Sequence, residues 1–157
     1  MIQIPFSRDS FADEAKSRMS GINTTLEFDN IESGLLKAVH LVADTIGEQT
    51  YSKIVQAYPD PDFEALEFLQ RSLLHWALYE QLIYLIVRIG NDGITTKKNN
   101  DETTIYKYQQ DELANNLINT AWFWMGKLID VLNREPENFK EWTDSGQKQE
   151  LDELPIS

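Results

Sequence analysis

The chain has 157 residues and a formal net charge of −12, and its composition is 41% hydrophobic and 25% charged. This length is that of one domain with a buried core, and the hydrophobic fraction is too high for a disordered chain. The acidic balance disfavours nucleic acid or an anionic membrane surface as a partner, since both need clustered Lys and Arg. Because the chain contains no cysteine, disulfides, thiolate nucleophiles and zinc fingers are excluded.

The first segment, residues 1–27, is mixed in composition and rich in Ser and Thr. We expect it to form an N-terminal arm with one short helix around Ser10–Met19. It lacks the apolar core of a signal peptide. The most apolar run of the chain, Leu73–Val87, is too short to span a bilayer. These features predict a soluble cytoplasmic protein that does not bind membranes.

A helical domain is predicted over residues 28–143. Asp29 and Glu32 have the spacing of a capping box and should begin the first helix. Its apolar residues recur every three or four positions and form one core stripe: Ile31, Leu35, Val39, Val42 and Ile46. Gly47 should end this helix. A short second helix carries one apolar face: Tyr51, Ile54, Val55 and Tyr58.

The third helix is predicted over Pro61–Ile89, with a proline at its first position and Gly90 just beyond its end. Its second half is apolar on nearly every side, so it should be the central helix. The fourth helix should begin between Thr104 and Gln109 and end near Arg134. It has two apolar stripes, the first with Leu113, Leu117, Ala121, Trp124, Leu128 and Val131, the second with Ala114, Ile118, Trp122, Met125, Ile129 and Leu132.

The C-terminal part is predicted to begin with a small unit in which Phe139 and Trp142 share a face. Residues 144–157 should form an acidic flexible tail. The complete prediction is an all-α bundle of four to five helices around a long central helix. An extended loop, Gly90–Gln109, joins the last two long helices.

Sequence motifs for catalysis, metal binding and cofactor binding are missing, including Glu-x-x-His, GxGxxG, the P-loop, HExxH and GxSxG. His40 and His75 are expected to be packed or boundary residues. The acidic cluster of residues 60–67 suits the positive end of a helix dipole better than a cation site. Two of the three aromatic residues in 122–124 are expected in the core rather than in a stacking platform. We therefore expect no enzyme activity, no metal and no cofactor.

The predicted loop is longer than most connections in helical bundles, and long loops often bind partners. It contains turn-forming Gly and Asn residues, three lysines and an aromatic segment, Ile105–Tyr108. We predict that it is a protein-binding site. Its candidate residues are Asp92, Gly93, Ile94, Lys97, Lys98, Tyr106, Lys107 and Tyr108.

The order of several segments resembles an uncharacterised all-helical family carried by phages and prophages of Bacteroidetes, whose genes lie among head and tail morphogenesis genes. These segments are ADTIGEQTYSKIVQAY, LEFLQRSLLHWALYEQLIYLIVRIGNDGI, TTIYKYQQDELANNL and ENFKEW. The resemblance as a whole covers about Leu26–Trp142. The most specific elements are Gly47 with Tyr51, the Asp92–Ile94 turn, Tyr106–Gln109 and Trp142.

This resemblance implies a structural virion component, similar in kind to head–tail connector proteins, that is found in the host cytoplasm or in the virion. Its partners would be other phage structural proteins, portal-like or tail-side, and further copies of itself. Two alternatives remain at the level of sequence. One is an acidic interaction protein, of the DNA-mimic or inhibitor type, from a mobile element. The other is a carboxylate-metal enzyme on a helical bundle, for which facing Glu and His positions are lacking.

Overall fold

The structure of the protein is a computed structural model. It contains six helices among the residues that it describes. The described residues are 3–19, 28–60, 62–92, 100–146 and 148, with side chains except at Asn30, 83–92, 100–108 and Gln110. The helices are α1 (Phe11–Arg18), α2 (Phe28–Ile46), α3 (Glu48–Val55), α4 (Glu64–Asp92), α5 (Asn100–Arg134) and α6 (Lys140–Thr143). No strand occurs in these ranges, so the predicted all-α fold is confirmed.

Helix α4 is the central helix, as its sequence predicted. It packs against α1, α2, α3 and α5. Trp76, in its apolar half, is only 3% exposed. Helix α5 runs antiparallel to α4, because Ser72 donates a hydrogen bond to the Ala121 carbonyl (3.1 Å) while Arg134 pairs with Glu64 near the start of α4 (2.9 Å). The two helices therefore form a long hairpin.

The core stripe of α2 is confirmed, because all five of its predicted residues are buried. The helix begins at Phe28, so Asp29 lies inside the first turn and the predicted capping box is wrong. The carboxylate of Asp29 instead pairs with Arg8.

Gly47 ends the helix with φ of 92°, a conformation that favours glycine. A Cβ added at Gly34 would lie 2.6 Å from the carbonyl oxygen of Ala77, so α2 and α4 approach closely there.

The described part of the predicted N-terminal arm packs into the core of the bundle. Its buried residues are Phe6, Phe11, Ala15 and Met19. The buried Tyr51 hydroxyl donates to the Gln3 carbonyl (2.6 Å), and buried Gln70 donates through Nε2 to the Pro5 carbonyl (2.8 Å). Buried polar groups need such partners, so these bonds fix the path of the segment. The division into arm, bundle and tail stays a prediction, and residues 3–19 contribute side chains to the core.

The long helices extend further towards each other than the sequence predicted. Helix α4 ends at Asp92 rather than Ile89, and α5 begins at Asn100 rather than between Thr104 and Gln109. Most of the predicted loop is therefore helical, which leaves seven residues between the helices. At the other end, α4 begins at Glu64 instead of Pro61.

Among the described side chains of α5, one buried stripe is observed, and it draws residues from both predicted stripes. Its fully buried residues are Ala121, Met125, Leu128, Val131 and Leu132. Leu113, Trp122 and Phe123 are each about half exposed, so the prediction that two of residues 122–124 are core is wrong. The reason is that α5 packs mainly on α4, and one neighbour covers one side of a helix. Phe139 and Trp142 are buried together, as predicted.

Candidate functional site

The predicted binding residues fall at the far end of the α4–α5 hairpin. Asp92 is the last residue of α4, and Tyr106–Tyr108 lie in the second turn of α5 and beyond. Their side chains are outside the described set, as are Gly93, Ile94, Lys97 and Lys98 altogether. Their roles therefore stay predictions.

Both helices of the hairpin continue well past their last described buried residues. Ala77 is the last described residue of α4 that is buried, and Ala121 is the first on α5. From Ala77 to Asp92 a helix rises about 22 Å, and from Asn100 to Ala121 about 32 Å. Between residues 109 and 119, most described α5 side chains are exposed.

A polar cleft of about 540 Å³ lies between α1 and the turn that precedes α4. The hydroxyl of Tyr58 (2.6 Å) and that of Ser10 (2.5 Å) both donate to Oε1 of Glu14. Burial, together with the hydrogen bond to Glu14, raises the pKa of the Tyr58 phenol. Oε2 of Glu14 is buried and has no hydrogen-bond partner among the described groups. The cleft can accept hydrogen bonds from a cationic group, but it lacks a histidine base.

A second cleft, of about 630 Å³, lies along the groove between α4 and α5. Its lining includes Phe123, Trp124 and Lys127, with the Glu64–Arg134 ion pair at one end. A third, of about 550 Å³, lies between α3 and Glu141, which pairs with Lys53 (3.3 Å). These two clefts are open and bring together aromatic or ion-paired groups rather than a nucleophile and a base.

The two histidines differ in environment. His75 is half-buried, as expected, and its Nδ1 lies 2.6 Å from the Arg71 carbonyl, to which it donates. Burial lowers the pKa of His75. His40 is exposed on α2, so the expectation that it is a packed or boundary residue is wrong. It follows Val39 by one position, which turns its side chain about 100° away from the core stripe.

The acidic residues 60–67 stabilise the start of α4 and its neighbours. Asp60 accepts a hydrogen bond from the backbone N–H of Asp62 (3.0 Å). Glu67 pairs with Arg18 of α1 (2.8 Å), as Glu64 does with Arg134 of α5. Across the described ranges, no three His, Asp or Glu side chains are grouped closely enough to hold a metal ion. Nor is any helix there long and apolar enough to span a bilayer.

Sequence reasoning missed the outer face of α5. Trp122 and Phe123 are exposed on it, beside Gly126, and an added Cβ at Gly126 would meet no neighbouring side chain or helix within 4 Å. A signal existed in the sequence. Leu113–Gly126 contains no charged residue, although a quarter of the chain is charged. Adjacent residues point about 100° apart on a helix, so Trp122 and Phe123 cannot both face one neighbour.

Residues 22–150 match a family of unknown function, DUF6712. This match covers most of the chain. The chain belongs to that family. Comparisons with curated proteins and with solved structures found no match. The matched residues agree in extent with the resemblance described above, which covers about Leu26–Trp142, and the membership supplies no activity, ligand or partner.

Proposed function

We propose that this protein is a structural component of a phage or prophage virion, of the head–tail connector or head-completion kind, and that it acts by assembly rather than catalysis. The observation that carries the proposal is the α4–α5 hairpin. Its helices continue about 22 Å and 32 Å beyond the last buried residue that the structure describes on each, and most described α5 side chains between residues 109 and 119 are exposed. A projecting hairpin of this kind offers surface to a neighbouring chain.

The proposed contact lies at the end of the hairpin, where Tyr106 and Tyr108 act as anchors. Aromatic residues dominate interface energies because they bury a large area at a small entropic cost. Lys97, Lys98 and Lys107 form a basic group in a chain whose net charge is −12. Such a group reduces repulsion between like-charged copies and suits an acidic surface on a portal-like neighbour.

The alternative of an acidic DNA mimic receives less support from the described surface. A mimic needs a continuous stripe of carboxylates spaced like phosphates. Several described carboxylates are instead interleaved with basic partners: Asp29 and Glu32 with Arg8, Glu64 with Arg134, Glu67 with Arg18, Glu80 with Lys37, and Glu141 with Lys53. These pairs interrupt the negative surface.

The test is incorporation of tyrosine variants into particles. Tyr106→Ser/Tyr108→Ser should leave the monomer folded and prevent its incorporation into virions, as measured by mass spectrometry of purified particles from a host that carries the element. Leu36→Ser, which changes an exposed apolar residue on α2, is the matched control and should be incorporated normally. Deleting Thr95–Asp101 is a poorer test because α5 begins at Asn100. Particles that never contain the wild-type chain would refute the proposal.

A further inference from the structure

The N-terminal segment, residues 3–19, is held on the rest of the chain as a bound peptide would be. Its buried side chains are Phe6, Phe11, Ala15 and Met19. The Tyr51 hydroxyl donates a hydrogen bond to the Gln3 carbonyl (2.6 Å). Nε2 of Gln70 donates another to the Pro5 carbonyl (2.8 Å). Apolar anchors combined with hydrogen bonds to the main chain are a usual means of peptide recognition.

The groove that holds this segment, formed by α2, α3 and α4, lies in the part of the chain that the family match covers. Tyr51 lies on α3 and Gln70 on α4, both within residues 22–150, whereas the segment precedes that match. Eight residues, 20–27, connect the segment to α2. A connection of eight residues spans at most about 29 Å. The segment of one copy can therefore reach the groove of a second copy that lies beside it.

The charges of the segment suit an acidic neighbour. It contains three basic and three acidic residues, so the net charge of −12 lies on the rest of the chain. Arg18 pairs with Glu67 of α4 (2.8 Å), and the Arg18 side chain is only 16% exposed. Arg8 pairs with Asp29 and Glu32 of α2. The contact between segment and groove is therefore attractive even when the two belong to different acidic copies.

We propose that the groove also accepts residues 3–19 of a second copy, so that two neighbouring copies exchange their N-terminal segments. A second copy is the occupant that the structure specifies, because the groove is complementary to this segment and every copy carries it. Exchange replaces each contact of the segment by the same contact between chains. The two arrangements therefore differ in free energy mainly through the connecting residues and through concentration.

Concentration decides which arrangement prevails. The short connection gives a chain's own segment an effective concentration on the order of millimolar, so a dilute copy keeps its own segment. Copies held side by side in an assembly lose this preference, because the neighbour's segment is then equally close. The inference deepens the assembly role proposed above and rests on it for its biological use.

Charge reversal at the partly buried Arg18–Glu67 pair tests the exchange with full-length chains. Arg18→Glu alone and Glu67→Arg alone each bring two like charges together, both in the closed monomer and in an exchanged homodimer. An exchanged heterodimer of the two variants restores an opposite-charge pair at both grooves. We expect each variant to sediment as a monomer at tens of micromolar. The equimolar mixture, unfolded in urea and refolded together, should sediment with twice that mass.

Two controls accompany this mixture. The double variant Arg18→Glu/Glu67→Arg restores the pair within one chain and should stay monomeric under the same conditions, like the wild type. The exposed pair between Arg134 of α5 and Glu64 of α4 is the matched control. Arg134→Glu mixed with Glu64→Arg should give no heterodimer, because neither residue belongs to the exchanging segment.

Folded variants of the first pair that remain monomeric when mixed would overturn the inference, as would equal dimerisation of the control mixture. If either single variant does not fold alone, joint refolding should recover its helix content in a dimer, and failure to recover it would also overturn the inference. The virion proposal is tested separately. Exchange by a chain that never enters particles would refute that proposal alone, whereas a chain that enters particles but does not exchange would refute only the inference.

Discussion

Helices α2 and α5 both pack against α4, but they approach it differently. On α2, the close approach at Gly34 brings the helix backbone against that of Ala77, and the whole predicted stripe is buried. On α5, one stripe is buried while Leu113, Trp122 and Phe123 remain about half exposed. Helix α2 also contacts α3, whereas α5 has α4 as its main neighbour and a small contact with α6.

This difference shows that an apolar pattern predicts burial only where neighbours exist to cover it. A single apolar stripe, as on α2, needs one neighbour and therefore specifies its own packing. Two stripes, as on α5, need two neighbours, and the described chain supplies mainly one. The exposed apolar residues of α5 thus become candidates for contact with another chain.

The largest expected effect is the difference in unfolding free energy between buried and exposed leucines of α2 and α5 when each is replaced by alanine. Leu35→Ala on α2 and Leu128→Ala on α5 should each lower the free energy of unfolding by about 2–5 kcal/mol, because both side chains are fully buried. Leu36→Ala and Leu113→Ala should change it by less than about 0.5 kcal/mol. Urea unfolding of the four variants measures this. A cost at Leu113 as large as that at Leu128 would mean that the Leu113 side chain is buried as deeply as that of Leu128.

Replacing two glycines by alanine tests how closely α2 and α5 are packed. The two substitutions should change the free energy of unfolding in opposite directions. Gly34→Ala should lower the free energy of unfolding by about 1–3 kcal/mol, since its Cβ would lie 2.6 Å from the Ala77 carbonyl oxygen, a backbone atom that cannot move alone. Gly126→Ala should raise it by about 0.5–1 kcal/mol, because the site is open and alanine favours helix. Thermal and urea unfolding check both variants. A change in unfolding free energy of the same sign at both positions would contradict the difference in packing between α2 and α5.

Substitutions of two arginines show how strongly the polar contacts of α1 and of α5 with α4 stabilise the fold. Arg18→Ala should cost about 1–2 kcal/mol, because the Arg18 side chain is 16% exposed and donates to Glu67 (2.8 Å) and Gln70 (3.1 Å). Arg134→Ala should cost less than about 0.5 kcal/mol, since this pair is exposed and screened by water. Urea unfolding measures both variants. Equal losses of unfolding free energy in the two variants would contradict the prediction. They would mean that the Arg18 contacts stabilise the fold no more than the exposed pair on α5 does.

The smallest expected effect is the pH dependence that His75 contributes to the stability of α4. Burial lowers the pKa of His75 in the folded protein below its ordinary value near 6.5, so the unfolded chain binds more protons at slightly acidic pH. The contribution of His75 is therefore fully present above pH 6.5 and is lost as the pH falls. His75→Gln should reduce the loss of stability between pH 7.5 and 5.5, whereas His40→Gln, at an exposed site, serves as the control. Unfolding free energies across this range provide the measurement, and identical slopes for both variants would contradict the prediction.

Much of the fold could be predicted from local patterns. The stripe of α2, the stop at Gly47 and the shared face of Phe139 and Trp142 follow from helical spacing and from glycine chemistry, and all are confirmed. The ends of the long hairpin could not be predicted, because Gly90 and Asn91 have the chemistry of a turn and yet lie inside α4. Helical hydrogen bonds that continue from the preceding turns can outweigh such weak local preferences.

For the candidate site, too, some features could be predicted from the sequence and others could not. Composition and periodicity are local properties, so they were enough to predict the all-α class and the central position of α4, and they contain the uncharged stretch Leu113–Gly126 of this acidic chain. Three features became visible in the folded chain alone: Gly34 meets the backbone of Ala77, residues 3–19 pack into the core, and Trp122 and Phe123 are half exposed. Each of these depends on which elements meet in space. A helix carries its apolar faces in its sequence, but the number of neighbours that cover them is set by the packing of the whole chain.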